Sequence, residues 1–356
     1  MTENIKEEAP QVHQRRVRYS GRYPKNFKDK YKELAPEKYA DTIEKVIQKG
    51  STPAGMHIPI MVQEILDFLQ IQPGMKGFDA TLGYGGHSSA MLARLKHQGH
   101  LYAGDIDPIE SEKTKERLRA LGFDESVLTV CRMNFSEIDR LAEKVGPFDF
   151  ILADLGVSSM QIDNPERGFS YKTEGPLDLR LNPSQGISAR ERLQTISAPE
   201  LEGMLLENAD EPYAREISQR ITADCKRGLV IDTTRKLHEE IEKALHFLPE
   251  EEKKEAVKKS SARTFQALRI DVNREYEVLY DFLAKLPQVM APGGRIAILT
   301  FHSGEDRLVK QSFKAFYREG LYQEISKDVI RPSREECVQN SRAHSTKMRW
   351  AIKAQA

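Results

Sequence analysis

The chain has 356 residues, 39% of them hydrophobic and 30% charged, with 54 basic side chains set against 54 acidic ones. No apolar run approaches the roughly 20 residues that a membrane span requires, and Cys131, Cys225 and Cys337 form no C-x-x-C pair, so neither a metal site nor a disulfide framework is expected and a reducing cytoplasm fits. Zero net charge excludes a protein that coats nucleic acid through its overall charge, so contacts of that kind must come from local patches.

In chain order, residues 1–56 read as an extension. It opens MTENIKEEAP, without the apolar stretch of an export signal, and ends in a helix over 35–49 and a Gly50-Ser51-Thr52-Pro53 break. Within it Arg15, Arg16, Arg18, Arg22, Lys25, Lys28, Lys30 and Lys32 face only Asp29, with Tyr19, Tyr23, Phe27 and Tyr31 interleaved. That segment is either a phosphate-binding arm with stacking aromatics or a solvated basic tail. From His57 onward strand and helix signals alternate: a helix over 60–69, a strand over 76–80, a helix from Ser88, a strand over 100–105, a helix over 113–121, and strands over 127–132 and 148–154. This is the pattern of a doubly wound parallel sheet.

The alternation lapses over 164–262, where loops are followed by helix signals at the Ser197-x-x-Glu200 capping box, 212–226 and 233–248. It resumes with one amphipathic helix carrying Phe265, Leu268, Val272, Tyr276, Leu279 and Leu283, a strand over 295–301 after Pro292-Gly293-Gly294, and a last strand over 346–353. The expected fold is α/β: a Rossmann-like domain made of 57–163 and 263–356, interrupted by a small helical domain at 164–262.

GFDATLGYGGHSSAML sets Asp79 at a strand end, a turn with Gly83, Gly85 and Gly86, then His87 and a helix. Glycines there let backbone approach a ligand closely, and the helix start offers free N–H groups. YAGDIDP ends the next strand in Asp105 and Asp107, at the distance expected for a carboxylate that binds ribose hydroxyls. Gly83-Tyr84-Gly85-Gly86 is not G-x-G-x-x-G, so the pyrophosphate fingerprint of a dinucleotide site is unmet. S-adenosyl-L-methionine has no pyrophosphate, and acids such as Asp79 and Asp154 suit its cationic sulfonium. The plainer reading makes Asp79 and Asp107 turn and capping residues.

FDFILADLGVSSMQID delivers Asp154 to a strand end, where it either accepts a hydrogen bond from an exocyclic amine or the cofactor, or caps the next turn; Gln161 supplies amide contacts. FHSGEDRLVK places His302 and Ser303 as lining of the site, while Ser303-x-x-Asp306 also reads as a capping box. Arg167, Arg180 and Arg269 are candidate phosphate anchors, and Phe169 or Tyr171 a candidate base stack.

Together HIPIMVQEIL, DATLGYGGHSSAML, DIDP, DLGVSSMQIDNPERGFSYKTEGPLDLRLNP, TFQALRIDVNREYEVL, GGRIAILTFHSGEDRLVK and SRAHSTKMR resemble, in this order, the bacterial 16S rRNA cytidine N4-methyltransferases of the RsmH/MraW type. The resemblance implies S-adenosyl-L-methionine as cofactor, held by Gly85, Gly86, His87, Asp105, Phe135, Asp154 and Gln161, with Phe135 beside the adenine. It implies catalysis at Asp154, His302 and Ser303 on a cytidine near the decoding centre. The partner is then 16S rRNA or the small ribosomal subunit, with no membrane; the oligomeric state is left open, a dimer included. The chain departs from the family in its longer extension, in Gly304 where FHSLEDR is usual, and in SRAHSTKMRW for NPRARSAKLR. An NAD-dependent oxidoreductase and a non-catalytic RNA-binding or assembly factor are the rival readings.

Overall fold

The structure is a computed structural model that describes residues 59–355. The basic 15–32 segment and the helix expected over 35–49 lie outside the described residues. The strands are β1 (Lys76–Asp79), β2 (His100–Asp105), β3 (Leu128–Arg132), β4 (Phe148–Asp154), β5 (Met290–Thr300), β6 (Tyr322–Ile325) and β7 (Lys347–Lys353). They form one sheet in the order β3-β2-β1-β4-β5-β7-β6. β1 to β5 pair in parallel, with Phe78 opposite both Tyr102 and Ile151 and Asp154 opposite Leu299. β7 runs antiparallel to both β5 and β6, giving a Rossmann-like sheet with one reversed strand.

Helices cover both faces, which is why the central strands read as unbroken apolar runs. Along β4, Phe150 and Leu152 join one core with Ile65, Leu69, Met91 and Leu299, while Phe148, Ile151 and Ala153 join the other with Phe282, Leu286, Ile298 and Phe313. The covering helices are α1 (Val62–Leu69), α2 (Gly86–Leu95), α3 (Pro108–Ala120) and α4 (Ile138–Val145), with the short α5 (Ser159–Asp163) after β4.

Next come α6 (Ala189–Thr195), α7 (Ala198–Ala209), α8 (Ala214–Lys226), α9 (Thr234–Ala244) and the long α10 (Glu250–Asn273). They share a core of their own, built on Leu193, Leu201, Leu205, Ile217, Ile221, Leu237, Ile241, Val257, Phe265 and Leu268. α10 runs unbroken through residue 262, so its second half packs with the helices before it and also leads the chain back to the sheet.

Two expectations are corrected. The amphipathic pattern from Phe265 to Leu283 is not one helix: α10 stops and α11 (Glu275–Val289) starts at Arg274, whose φ of +51° breaks the ladder. The stop is enforced from outside, because the Asn273 amide accepts from Leu181 N at 2.7 Å and donates to Leu179 O at 2.8 Å. β5 also begins earlier than expected, running through Pro292-Gly293-Gly294. The chain ends with α12 (Ser303–Arg318), the edge strand β6, α13 (Arg334–Gln339) and β7, which lies between β5 and β6.

Candidate active site

Strand order reverses between β1 and β4: one half of the sheet grows outward through β2 and β3, the other through β5. The crevice above the carboxyl ends at such a point is where open α/β sheets take ligands. β1 delivers Asp79 to that edge, β2 Asp105 and β4 Asp154.

The glycine turn is braced from below. Asp79 is buried and accepts from Ser88 Oγ at 2.6 Å and Thr81 N at 3.1 Å, so it ties the strand end to the first turn of α2. Burial raises its pKa above the ordinary value, against the pull of Ser88 and His87. Gly83 (φ +48°) and Gly85 (φ +81°) adopt left-handed conformations, and a Cβ on Gly85 would lie 2.8 Å from Thr114 Cγ2 of α3. From α3, Thr114 Oγ1 donates to Gly83 O at 2.6 Å and Arg117 to Tyr84 O at 2.8 Å. Ser88, Thr114 and Arg117 are parts of the site that sequence reasoning passed over.

His87 and Asp154 form the centre of the crevice. His87 Nε2 lies 2.9 Å from Ile60 O and Nδ1 lies 3.4 Å from Asp154 Oδ2, so both ring nitrogens face acceptors. Burial opposes the charge, but the Asp154 carboxylate and the Ile60 carbonyl outweigh it, and the imidazole pKa is raised. The ring thereby occupies one oxygen of Asp154. The other, Oδ1, is buried without a hydrogen-bond partner, and the backbone below is fixed by Asp154 N donating to Thr81 Oγ1 at 2.7 Å. A buried carboxylate oxygen left unpaired is costly. It suits a cationic centre or an N–H brought in by a ligand.

Asp105 closes the other side of the turn. Its Oδ2 accepts from Gly83 N and its Oδ1 from Asp107 N, both at 2.8 Å, and each oxygen keeps a lone pair for a further donor such as a ribose hydroxyl. Burial pushes its pKa up to about 6, over the opposing backbone N–H groups and with the neighbouring acids adding to the rise. A carboxyl raised in this way loses its proton later in the folded chain than in the unfolded one. Its own contribution to stability therefore declines as pH climbs from about 4 to 6. Hydroxyl donors favour the ionised form, so cofactor affinity should climb through about pH 6, by up to tenfold per unit below it, and level off above. Titration calorimetry at pH 6 in two buffers of different ionisation heat should show about half a proton released per cofactor bound. A flat affinity between pH 5 and 7.5 would remove Asp105 from the cofactor site.

Asp107 is otherwise engaged. It is fully buried, caps α3 through Ile109 N and Glu110 N, and receives Arg167 at 2.7 Å and Gln161 Nε2 at 3.0 Å. Against its burial, the Arg167 guanidinium and Gln161 amide hold its pKa below the ordinary value. Gln161 accepts with Oε1 from Ser158 N at 2.9 Å in a capping box that opens α5, so it stands at the site but is held at both ends. Phe135 lies beyond β3, half-buried and edge-on to Phe282 at 5.1 Å between ring centroids, beside the β2 end.

The candidate RNA anchors all have partners within the fold. Arg167 is spent on Asp107 and on the carbonyls of Arg180 and Leu181; Arg180 grips Asp178 at 2.7 and 2.8 Å; Arg269 holds Glu275 with two hydrogen bonds of 2.8 and 2.9 Å. Phe169 is buried in the helical core, and Tyr171 stacks on His238 at 5.6 Å. Each side chain is committed to packing within the fold.

At the end of β5, His302 Nε2 lies 3.2 Å from Glu305 Oε1, and Glu305 accepts Phe301 N at 3.0 Å. The expected Ser303 capping box does not form. Ser303 is already helical and exposed, with Oγ donating to Asp210 Oδ2 at 3.3 Å, while Asp306 pairs with Arg349 at 2.6 Å. Glu275, His302 and Glu305 could each offer a metal ligand within 4.8 Å of one another. Arg269 pairs with Glu275 and the Phe301 amide with Glu305, while His302 Nε2 is buried without a hydrogen-bond partner. A Cβ on Gly304 would fall 1.9 Å from the Tyr276 hydroxyl oxygen, which donates to Asn208 O at 3.3 Å. The glycine where FHSLEDR is usual therefore makes room for this tyrosine.

A family model described as the MraW methylase family matches residues 54–354. "Ribosomal RNA small subunit methyltransferase H 1" of Lachnoclostridium phytofermentans is 69% identical, over 96% of this chain and 94% of its own length. "Ribosomal RNA small subunit methyltransferase H 2" of Alkaliphilus metalliredigens is 64% identical, over 96% of this chain and 98% of its own. A "Ribosomal RNA small subunit methyltransferase H" of Fusobacterium nucleatum is 39% identical, over 82% of this chain and 95% of its own. The 96% shared with the first two leaves too few residues over for the segment before His57 to be missing from the match.

Proposed function

The chain belongs to the MraW methylase family, and on that premise we propose that it transfers a methyl group from S-adenosyl-L-methionine to the N4 amino group of a cytidine in 16S rRNA. The observation that carries this reading is the unpaired, buried Asp154 Oδ1 at the switch point, with the His87 ring already set against Oδ2. When bound, the cofactor supplies an electrophilic methyl group on a cationic sulfur. Asp105 and the backbone of Gly83, Gly85 and Gly86 would hold its nucleoside, with Phe135 against the adenine. Asp79 and Gln161 act by keeping the turn and α5 in place.

Cytidine N4 is a weak nucleophile because its lone pair is delocalised into the ring. Asp154 Oδ1 accepts a hydrogen bond from one of its N–H groups, orients its lone pair, offsets positive charge as the C–N bond forms, and takes the proton that the methylated nitrogen sheds. His87 holds the carboxylate in place through Oδ2. His302 and Ser303, at the end of the adjacent strand, line the entry for a base that has been taken out of its stack.

No helix among the described residues is long and apolar enough to cross a membrane, and we place the reaction in the cytoplasm on 16S rRNA or the small subunit, at a cytidine near the decoding centre. The helices of 164–262 would grip the RNA beside the site. Incubating the protein and labelled cofactor with small subunits from cells lacking the enzyme, then mapping the modified nucleotide, tests the whole reading. Label retained on N4 of one cytidine is the expected outcome, and no transfer to RNA or particle would refute it.

A further inference from the structure

α12 leaves the site edge at Ser303 and runs 16 residues, roughly 24 Å, back across the sheet. Val309 and Phe313 are buried beneath it, while Ser303, Arg307, Lys310, Gln311, Lys314, Tyr317 and Arg318 are exposed. Arg307, Lys310, Lys314 and Arg318 follow one another at intervals of three, four and four, so they share one face. The helix has two acids, and both point elsewhere: Glu305 is buried against His302 and Phe301 N, and Asp306 is held by Arg349 and Lys347. Like charges at this spacing repel, and among the described residues no acid pairs with these four. The neighbouring helix α11 exposes Glu277 and Asp281.

We propose that the outer face of α12 is a track for the RNA phosphate backbone, leading from Ser303 at the crevice along Arg307, Lys310, Lys314 and Arg318, with Tyr317 available to stack a base. The proposal rests on an RNA substrate and adds the path by which that RNA leaves the site. The chain is neutral overall, so a four-cation face free of acids is a local device of the kind polyanion binding requires. Its continuity with Ser303 and His302 sets it where the strand flanking a flipped nucleotide must pass.

The test compares wild type with a variant in which Arg307, Lys310, Lys314 and Arg318 are each changed to Gln. A second variant neutralises Arg94, Lys96, Arg119 and Lys144, exposed cations at or just beyond the C-terminal ends of α2, α3 and α4 on the opposite edge of the sheet. Binding to transcribed 16S RNA and to isolated small subunits is measured at several salt concentrations. In the α12 variant affinity should fall about tenfold or more, and the slope of log affinity against log salt should become shallower by about 0.7 to 0.9 for each phosphate that is no longer neutralised, near 3 if all four cations engage. KM for RNA should rise with kcat and cofactor affinity retained, while the opposite-edge variant stays near wild type. Equal losses in both variants mean a net-charge effect, and no loss means a solvated helix; either overturns the track. Wild type that binds and methylates no RNA would instead bring down the proposed function, and the track with it. Should the fourfold variant melt early, the Lys310→Gln, Lys314→Gln pair carries the test, with about half the change in slope.

Discussion

Replacing Asp154 by asparagine should leave the protein folded and binding cofactor, yet lower single-turnover methyl transfer by about two orders of magnitude or more, the scale of losing one aligned electrostatic group. The structure sharpens the reason. Nδ1 of His87 faces an acceptor in the wild-type protein, so a donating Nδ1–H will claim the amide oxygen of the new side chain. The amide NH2 is then left where Oδ1 stood, and an acceptor aimed at the substrate amine becomes a donor that repels it. Rapid-quench measurement of one turnover, with melting and cofactor titration as controls, reads the effect. Transfer at the wild-type rate in a folded variant would mean that Asp154 takes no part in the chemistry.

Asp105→Ala should weaken cofactor binding by two to four orders of magnitude, since two charge-assisted hydrogen bonds of about 1.5 to 3 kcal/mol each are removed. The same carboxylate also holds Gly83 N and Asp107 N, so the alanine loosens the turn as well. Asp105→Asn separates the two effects. It retains an acceptor for one backbone N–H, and its residual loss reports the charge itself. Calorimetry on variants whose circular dichroism matches wild type is the check, and normal cofactor affinity in Asp105→Ala would overturn the assignment.

The strands that carry the site were legible because each is buried on both faces and ends in an acid. FDFILAD could hardly be anything but a central strand, and its terminal Asp154 could only point to the carboxyl edge. β6 escaped notice because it has four residues, two of them exposed, at the sheet border. The break at Arg274 carries no glycine or proline; it is imposed by Asn273 reaching across to Leu179 and Leu181, more than 90 residues away in sequence. Side-chain roles divide along the same line. Ser158-x-x-Gln161 spells its capping box in the chain, so Gln161 was readable as a holder of α5. Arg167 was not readable, because its partner Asp107 lies 60 residues earlier and meets it only once the sheet is assembled. His87 could be singled out from the turn, but its use as a brace for Asp154 exists only in three dimensions.

The register of β4 with β5 joins Phe150 to Arg295, 145 residues apart, with the helical core threaded between them. Closing so long a loop costs roughly 4 kcal/mol in chain entropy before any strand pairing offsets it. The helices inside it meet mostly near neighbours in sequence, and packing of that kind forms early. Their collapse shortens the effective loop and lets β5 find β4. The order of events is thus written into the topology: Asp154 arrives with β4, His302 and Ser303 join only when β5 docks, and the catalytic edge is among the last parts to form. In pulse-labelled refolding the amides of α7 to α10 should gain protection before those of β5, and simultaneous protection would show that the sheet does not wait for the helices. A nascent chain would then be unable to engage RNA productively until the segment after 290 has been made.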